Sequence, residues 1–128
     1  MYSKSSSFQV ISTMLEGVTE IRAAYSWTGV IAPSEQWQGN PIYIANSSVN
    51  TLFYDAIEPQ ALDGITISFY GSSNGTDLDR VLMVPTAFKD VKDQDSGIEL
   101  LQFPYVIPVV ENGSGSNLTS FVLAVHLQ

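Results

Sequence analysis

The chain has 128 residues and a mass of 14.0 kDa, so it fits one domain with a single hydrophobic core. Hydrophobic residues make up 45% of the sequence, which excludes a disordered chain, and charged residues make up only 14%, so uncharged polar residues must cover much of the surface. Thirteen acidic and five basic residues give a net charge of −8, which argues against nucleic acid or an anionic membrane as a partner, and the lack of cysteine excludes disulfides, thiolate nucleophiles and cysteine-bound metals.

The chain begins with a polar segment. The residues that follow Met1 are mostly serine, and no hydrophobic signal-peptide core comes after them. No apolar run approaches the roughly 20 residues that are needed to cross a bilayer. Residues 1–7 are therefore predicted to form a flexible amino-terminal arm, and the protein is expected to be made in the cytoplasm and to be soluble.

Short runs of β-branched, aromatic and aliphatic residues recur along the chain, separated by Gly, Pro, Asn and Ser. The clearest run is 64–72, where Ile65, Ile67 and Phe69 alternate with polar or less apolar residues, as in a strand with one buried face. In residues 118–128 both faces are partly apolar, which predicts a central strand. The predicted strands are residues 8–13, 18–24, 27–31, 41–45, 64–72, 80–84, 98–101, 103–111 and 118–128.

Two prolines and two turn sequences set the predicted connections. Pro104 and Pro108 lack an amide donor, which favours an edge strand or a bulged strand for residues 103–111. Asn74 and the glycine after it can provide the positive φ angles of a tight hairpin, and residues 113–116 are predicted to be a second hairpin tip.

The pattern as a whole predicts the fold class. Many short strands are joined by close turns, and no long stripe of apolar residues has helical spacing. The sequence therefore predicts one all-β domain over residues 1–128, an antiparallel β-sandwich of jelly-roll-like form with little helix.

Few residue types are present that could carry out catalysis. His126 is the one histidine, and no Gly-x-Ser-x-Gly turn would place a nucleophilic serine beside it, so it is interpreted as a histidine on a strand surface or at an interface. Asp77 and Asp79 would project from the same side of an extended segment, as glycosidase carboxylates require, but acidic residues that solvate a turn are far commoner. The sequence predicts no catalytic residue.

Calcium is the metal that the acidic loops could bind through their oxygen atoms. The candidate ligands are Asp77 and Asp79, or Asp90, Asp93 and Asp95. Neither spacing matches a helix–loop–helix calcium site. The sequence therefore predicts neither a metal site nor any other cofactor.

Four aromatic residues, Trp27, Trp37, Phe53 and Tyr54, fall near predicted loops. They could stack on sugar rings there, as in a lectin, but aromatic side chains more often fill a core or a subunit interface. We expect core or interface positions for them.

The second half of the chain resembles a known group of proteins. Residues 65–77, with the sequence ITISFYGSSNGTD, run from a strand into a Gly-Ser-x-Asn-Gly-Thr turn; a Phe-Pro-Tyr-Val segment follows at 103–106, then an Asn-Gly tip at 112–113 and a last apolar strand at 121–127. This order is similar to that in small β-sandwich virion proteins of tailed phages, and it covers residues 64–128, about half of the chain. The resemblance implies a head decoration (cement) protein, a fibre or spike module, or a similar accessory coat subunit.

Three functions are considered on this basis. The leading hypothesis is a non-enzymatic virion protein, made in the host cytoplasm, that binds the outer capsid surface and stabilises the shell against the pressure of the packaged DNA. It would form a trimer, with the major capsid protein or other virion subunits as partners. The alternative is a carbohydrate-binding, lectin-like jelly-roll module that stacks sugars on tryptophan or tyrosine. The third, a glycan-processing enzyme or lyase, has only scattered carboxylates in its favour. The candidate interface contacts for the leading hypothesis are Trp27, Trp37, Phe53, Phe103 and Tyr105.

Overall fold

The computed structural model describes residues 6–12, 20–45, 47, 49, 51–57, 63–87 and 103–128. Every helix or strand element assigned within these ranges is a β-strand, which confirms the predicted all-β fold. The strands are β1 (Ser6–Ser12), β2 (Ile21–Ile31), β3 (Gln36–Gln38), β4 (Ile42–Tyr43), β5 (Leu52–Ile57), β6 (Ile65–Ser72), β7 (Arg80–Ala87), β8 (Tyr105–Asn112) and β9 (Leu118–Leu127).

The strands form two antiparallel sheets that pack against each other. The first sheet has the order β1-β2-β9-β5, and the second has the order β3-β8-β6-β7, with β4 paired to β8 on the same side as β3. The chain changes sheet after β2, β4, β5 and β8, and β9 returns to lie between β2 and β5. Two antiparallel sheets joined in this way form a β-sandwich, as the sequence predicted.

The inward faces of the two sheets form one hydrophobic core. In most of β2 and β9 every second side chain is buried, and the register places Tyr25 beside Leu123 and Trp27 beside Phe121. Alternate residues of a strand face opposite sides of a sheet, so the residues in between form the outer surface of the first sheet. The largest fully buried side chains are Trp27, Trp37, Tyr25, Tyr54, Phe69 and Phe121.

β8 is a central strand, and the prediction of an edge strand from its prolines is wrong. It pairs with β6 along its whole length and with β3 and β4 on its other side. Pro108 lies between the parts of β8 that pair with β3 and with β4, and its carbonyl oxygen accepts a 2.9 Å hydrogen bond from the amide of Gly39. A residue in an antiparallel ladder directs its amide and its carbonyl to the same neighbouring strand. The missing amide hydrogen of Pro108 therefore faces the side of Gly39, between β3 and β4, and not β6. The ladder with β6 therefore loses no hydrogen bond.

Residues 113–117 connect the two sheets, so the prediction of a hairpin tip at 113–116 is wrong: β8 and β9 belong to different sheets. Asn112 is fully buried at the end of β8, and its side-chain amide donates to the carbonyl of Ser116 within this connection and to that of Ile31 at the end of β2. The other predicted turn lies at the expected place, since residues 73–79 join the paired strands β6 and β7. It is a longer loop than the tight hairpin predicted, and Gly75 has a positive φ of 81° whereas Asn74 does not.

Other predicted boundaries differ less. The predicted strands 18–24 and 27–31 are largely parts of one strand, β2, which has a register shift near its end. The last two residues of the predicted arm 1–7 belong to β1. Residues 1–5 and the predicted strand 98–101 lie outside the described residues.

Candidate functional site

The outer face of the first sheet contains an open groove of about 660 Å³ that crosses β2, β9 and β5. The register of the sheet places Ala24 beside Ala124, and Ala124 beside Asp55. Two methyl groups therefore lie in the middle of the face, where longer side chains would fill the space. They form an apolar floor, and this feature makes the groove possible.

Longer side chains form one wall of the groove. In the row next to the floor, Arg22 lies beside His126 and His126 lies beside Phe53, and all three side chains line the groove. The ring centroids of Phe53 and His126 are 6.2 Å apart, with the ring planes inclined at 40°. Phe53 is half-buried, so part of its ring remains accessible from the groove.

Glu20 organises the charged end of this wall. Its Oε2 accepts a hydrogen bond of 2.5 Å from Nε2 of His126 and lies 3.4 Å from Nη2 of Arg22. The hydrogen bond from His126, with the positive charge of Arg22 acting in the same direction, holds the pKa of Glu20 below its ordinary value against the effect of partial desolvation. Glu20 therefore stays ionised and keeps the two basic side chains at one end of the groove.

Asp55 carries an oxygen without a partner. Its Oδ1 has almost no exposed surface and no hydrogen-bond partner within the part of the chain that the structure describes. Buried carboxylate oxygens nearly always accept a hydrogen bond, because an unpaired one loses its hydration without replacement. Asp55 also lines the groove, so its carboxylate is an acceptor beside the open space.

Trp27 and Trp37 lie in the core, one of the two positions expected for them, so their burial rules them out as the interface contacts for which they were also candidates. Trp27 is 2% exposed and stacks on Phe121 with ring centroids 5.9 Å apart. Trp37 is fully buried and contacts Phe121 and Tyr25 edge to face, at 4.8 and 5.4 Å. Both tryptophans occupy inward positions of their strands, so neither can contact a partner or a sugar in the folded domain.

The other three candidates keep accessible surface, on separate parts of the molecule. Phe53 lines the groove, and Phe103 is half-buried with its ring lying over Gly71 of β6. Tyr105 is half-buried on the outer face of the second sheet, with its ring centroid 5.2 Å from that of Tyr43, which is 53% exposed. We call Tyr43 and Tyr105 the tyrosine pair.

The two loop acids that could have formed a catalytic pair are bonded within their own loop. The amide and the hydroxyl of Ser73 donate to Asp79 at 2.8 and 2.9 Å, and these bonds hold the pKa of Asp79 below its ordinary value. Asp77 accepts a 2.8 Å hydrogen bond from Nδ2 of Asn74. Both carboxylates therefore stabilise the turn, the commoner role expected for them.

Metal ligands do not cluster in the described ranges: no three His, Asp or Glu side chains there lie close enough together to hold an ion. The remaining calcium candidates, which lie outside those ranges, are Asp90, Asp93 and Asp95.

Sequence reasoning missed most of the groove. Glu20, Arg22 and Asp55 drew no attention, although the alternation in residues 118–128 already placed Ala124 and His126 on the same face. The missing information was the pairing of β9 with β2 and β5, which joins segments that are distant in the chain. No local pattern reports such a register.

The described residues contain no long apolar helix of the kind that spans a membrane. The chain matches no protein-family model, no curated protein and no solved structure. The groove and the tyrosine pair are the two accessible features of the described residues that could bind a partner or ligand.

Proposed function

We propose that this chain is a non-enzymatic structural protein of a virus particle, a decoration protein that binds the outer capsid surface as a trimer through the major capsid protein. The observation that carries the proposal is the tyrosine pair on the outer face of the second sheet, with Tyr43 exposed and Tyr105 half-buried. Tyrosine is enriched in protein interfaces because its ring offers a large contact area at a low cost in conformational entropy.

The tyrosine pair lies on a braced part of the fold. Tyr43 in β4 is directly opposite Tyr105 in β8. The loop between β6 and β7 packs beside them: a methyl group at Gly75 would come within 3.4 Å of the Tyr105 ring, and the side-chain amide of Gln38 donates to the carbonyl of Thr76 at 3.1 Å. A surface that is already ordered loses little entropy when it binds a partner.

The same outer face has further apolar surface. Val81 is 42% exposed, and the register places it beside Tyr70, which in turn lies beside Ile107. Ile107 is fully buried, so the apolar surface that this row exposes is Val81 and part of Tyr70. Exposed apolar side chains on the same outer face as the tyrosine pair support a contact with another protein.

The resemblance to tailed-phage virion proteins supports the same surface. Residues 65–77 contribute β6 and the loop that packs against the tyrosine pair, and residues 103–106 include Tyr105 itself. The net charge of −8 suits a subunit that faces solvent outside a shell, because packaged DNA would repel it.

Binding to particles tests the proposal. Purified protein, mixed with particles of the encoding virus that lack it, should sediment with them in a fixed ratio to the major coat protein. Tyr43→Ser should reduce its affinity for the particles by about tenfold or more. Val30→Ser is the matched control, because Val30 is 58% exposed but belongs to the first sheet. Failure of the native protein to bind, or full retention of Tyr43→Ser, would contradict the proposal.

The trimer is tested separately. Analytical ultracentrifugation should give a species of three copies, either for the free protein or after its release from particles. A monomer under both conditions would exclude the trimer but not the capsid contact.

The lectin-like alternative loses stacking on tryptophan, since both tryptophans are buried, whereas the tyrosine pair keeps accessible surface. Within the described residues, Phe53 is an aromatic side chain that lies beside polar groups in an open groove.

A further inference from the structure

We propose that the groove on the outer face of the first sheet is a binding site for a neutral sugar ring of a glycan. The groove lies on the opposite sheet from the tyrosine pair, so this site is independent of the proposed capsid contact. Its volume of about 660 Å³ falls within the range of roughly 300–1,000 Å³ that is usual for small-molecule sites.

The apolar part of the groove matches the apolar side of a sugar. A pyranose ring presents C–H groups on its faces and hydroxyl groups around its rim, and the C–H groups pack against aromatic rings. Phe53 provides such a ring beside the methyl floor of Ala24 and Ala124. A sugar that lies on this surface directs its hydroxyl groups toward the polar side chains around it.

The polar side chains supply both an acceptor and donors. Asp55 lines the groove, its Oδ1 has no hydrogen-bond partner within the described residues, and a sugar hydroxyl is a donor that can bond to its carboxylate. The side chain of Arg22 is 59% exposed and contacts Glu20 through one of its nitrogens, so further N–H donors of the guanidinium group face the groove and the solvent. Hydroxyl groups both donate and accept, and they can bond to both side chains.

The charges favour a neutral ligand over an anion. The positive charge of Arg22 is balanced by Glu20, which also accepts the hydrogen bond from His126. Asp55 adds a negative charge, and the chain as a whole carries −8. A phosphate or a carboxylate in the groove would be repelled by Asp55, and Glu20 already offsets the arginine that could attract it.

A glycan array that carries neutral, sialylated and sulfated glycans tests this proposal with the full chain. We expect retention of neutral glycans. Retention of none, or of acidic glycans alone, would overturn the proposal, and neither result would affect the capsid contact.

Variants then assign the binding to the groove, with the best-retained glycan titrated by calorimetry. Phe53→Ala and Asp55→Ala should each weaken binding by about tenfold or more. Ala24→Leu should do the same, because it fills the floor without removing any contact, and it covers the case in which Phe53→Ala fails to fold. Tyr43→Ser, on the other sheet, is the control and should bind as the native chain does. Native affinity in a folded Ala24→Leu variant would overturn the assignment.

Discussion

Nδ2 of Asn112 donates a 2.8 Å hydrogen bond to the carbonyl oxygen of Ile31, and this bond joins the last residue of a strand in one sheet to the last residue of a strand in the other. The same nitrogen donates to the carbonyl of Ser116, and Oδ1 accepts from the amide and hydroxyl of Ser114. A fully buried side chain therefore forms four hydrogen bonds where the chain crosses between the sheets.

Replacement of this side chain should cost much of the stability of a small domain. Asn112→Ala removes the donor to the carbonyls of Ile31 and Ser116 and the acceptor for the amide and hydroxyl of Ser114, and we expect the free energy of unfolding to fall by about 2–4 kcal/mol. Urea unfolding followed by tryptophan fluorescence measures the change. Asn112→Asp keeps the acceptor but turns a carboxylate oxygen toward two carbonyls, so it should be at least as destabilising. A loss below about 1 kcal/mol for both variants would contradict this account.

Local sequence signals accounted for most of the described strands, but they missed β3 and β5 and the connection between β8 and β9. The two partly apolar faces of residues 118–128 correctly predicted a central strand, because that pattern depends on the strand alone. The turn at 113–116 has the same Gly and Ser content whether the chain returns to its sheet or crosses to the other one. Crossing depends on the distant bond between Asn112 and Ile31, which no local pattern contains.

The same limit applies to the aromatic residues and to the groove. Trp37 is next to turn residues in sequence, yet its strand pairs with β8 and turns the indole toward Phe121 in the core. Pro108 suggested an edge strand because it lacks an amide donor. The central strand β8 accommodates it because Pro108 lies between the part of β8 that pairs with β3 and the part that pairs with β4. Residue type and spacing could identify the fold class, whereas partner strands decide which face of each strand is accessible.

Two buried tyrosines differ in their hydroxyl groups, and this difference predicts opposite effects. The hydroxyl of Tyr25 donates to the carbonyl of Asn40 at 2.6 Å, whereas Oη of Tyr54 is buried without a partner in the described part of the chain. Tyr25→Phe should lower the free energy of unfolding by about 1–2 kcal/mol, since it leaves that carbonyl unpaired. Tyr54→Phe removes an unpaired group and should leave stability unchanged or raise it by up to about 1 kcal/mol. Denaturant titrations of both variants should rank them in this order; the reverse order would refute the assignment.

The same tyrosines predict loss of stability at alkaline pH. Burial raises the pKa of Tyr54 to about 12 and raises that of Tyr25 as well, whereas tyrosine in an unfolded chain ionises near 10. Their neutral forms therefore favour the folded state fully below about pH 10, and this contribution is lost as the pH rises through the folded-state pKa of Tyr54, about 12. Each tyrosine that ionises only after unfolding adds a slope of about 1.4 kcal/mol per pH unit in this window. Urea unfolding from pH 9 to about 11.5 should show the decline, and Tyr54→Phe should reduce its slope. An equal slope in native protein and variant would count against burial of this hydroxyl.

Phe103 depends on the absence of a side chain at Gly71. A methyl group at that position would overlap the Phe103 ring, because the ring lies directly on the glycine. Gly71→Ala should therefore displace Phe103 and lower the free energy of unfolding by about 1–3 kcal/mol. Gly115→Ala is the control, since no atom lies within 4 Å of the position that its methyl group would take, and it should change stability by less than about 0.5 kcal/mol. Thermal unfolding of the two variants measures the difference, and the Gly71→Ala and Phe103→Ala effects should be less than additive, because both disrupt one contact. Additive losses would show that Phe103 owes its position to other neighbours.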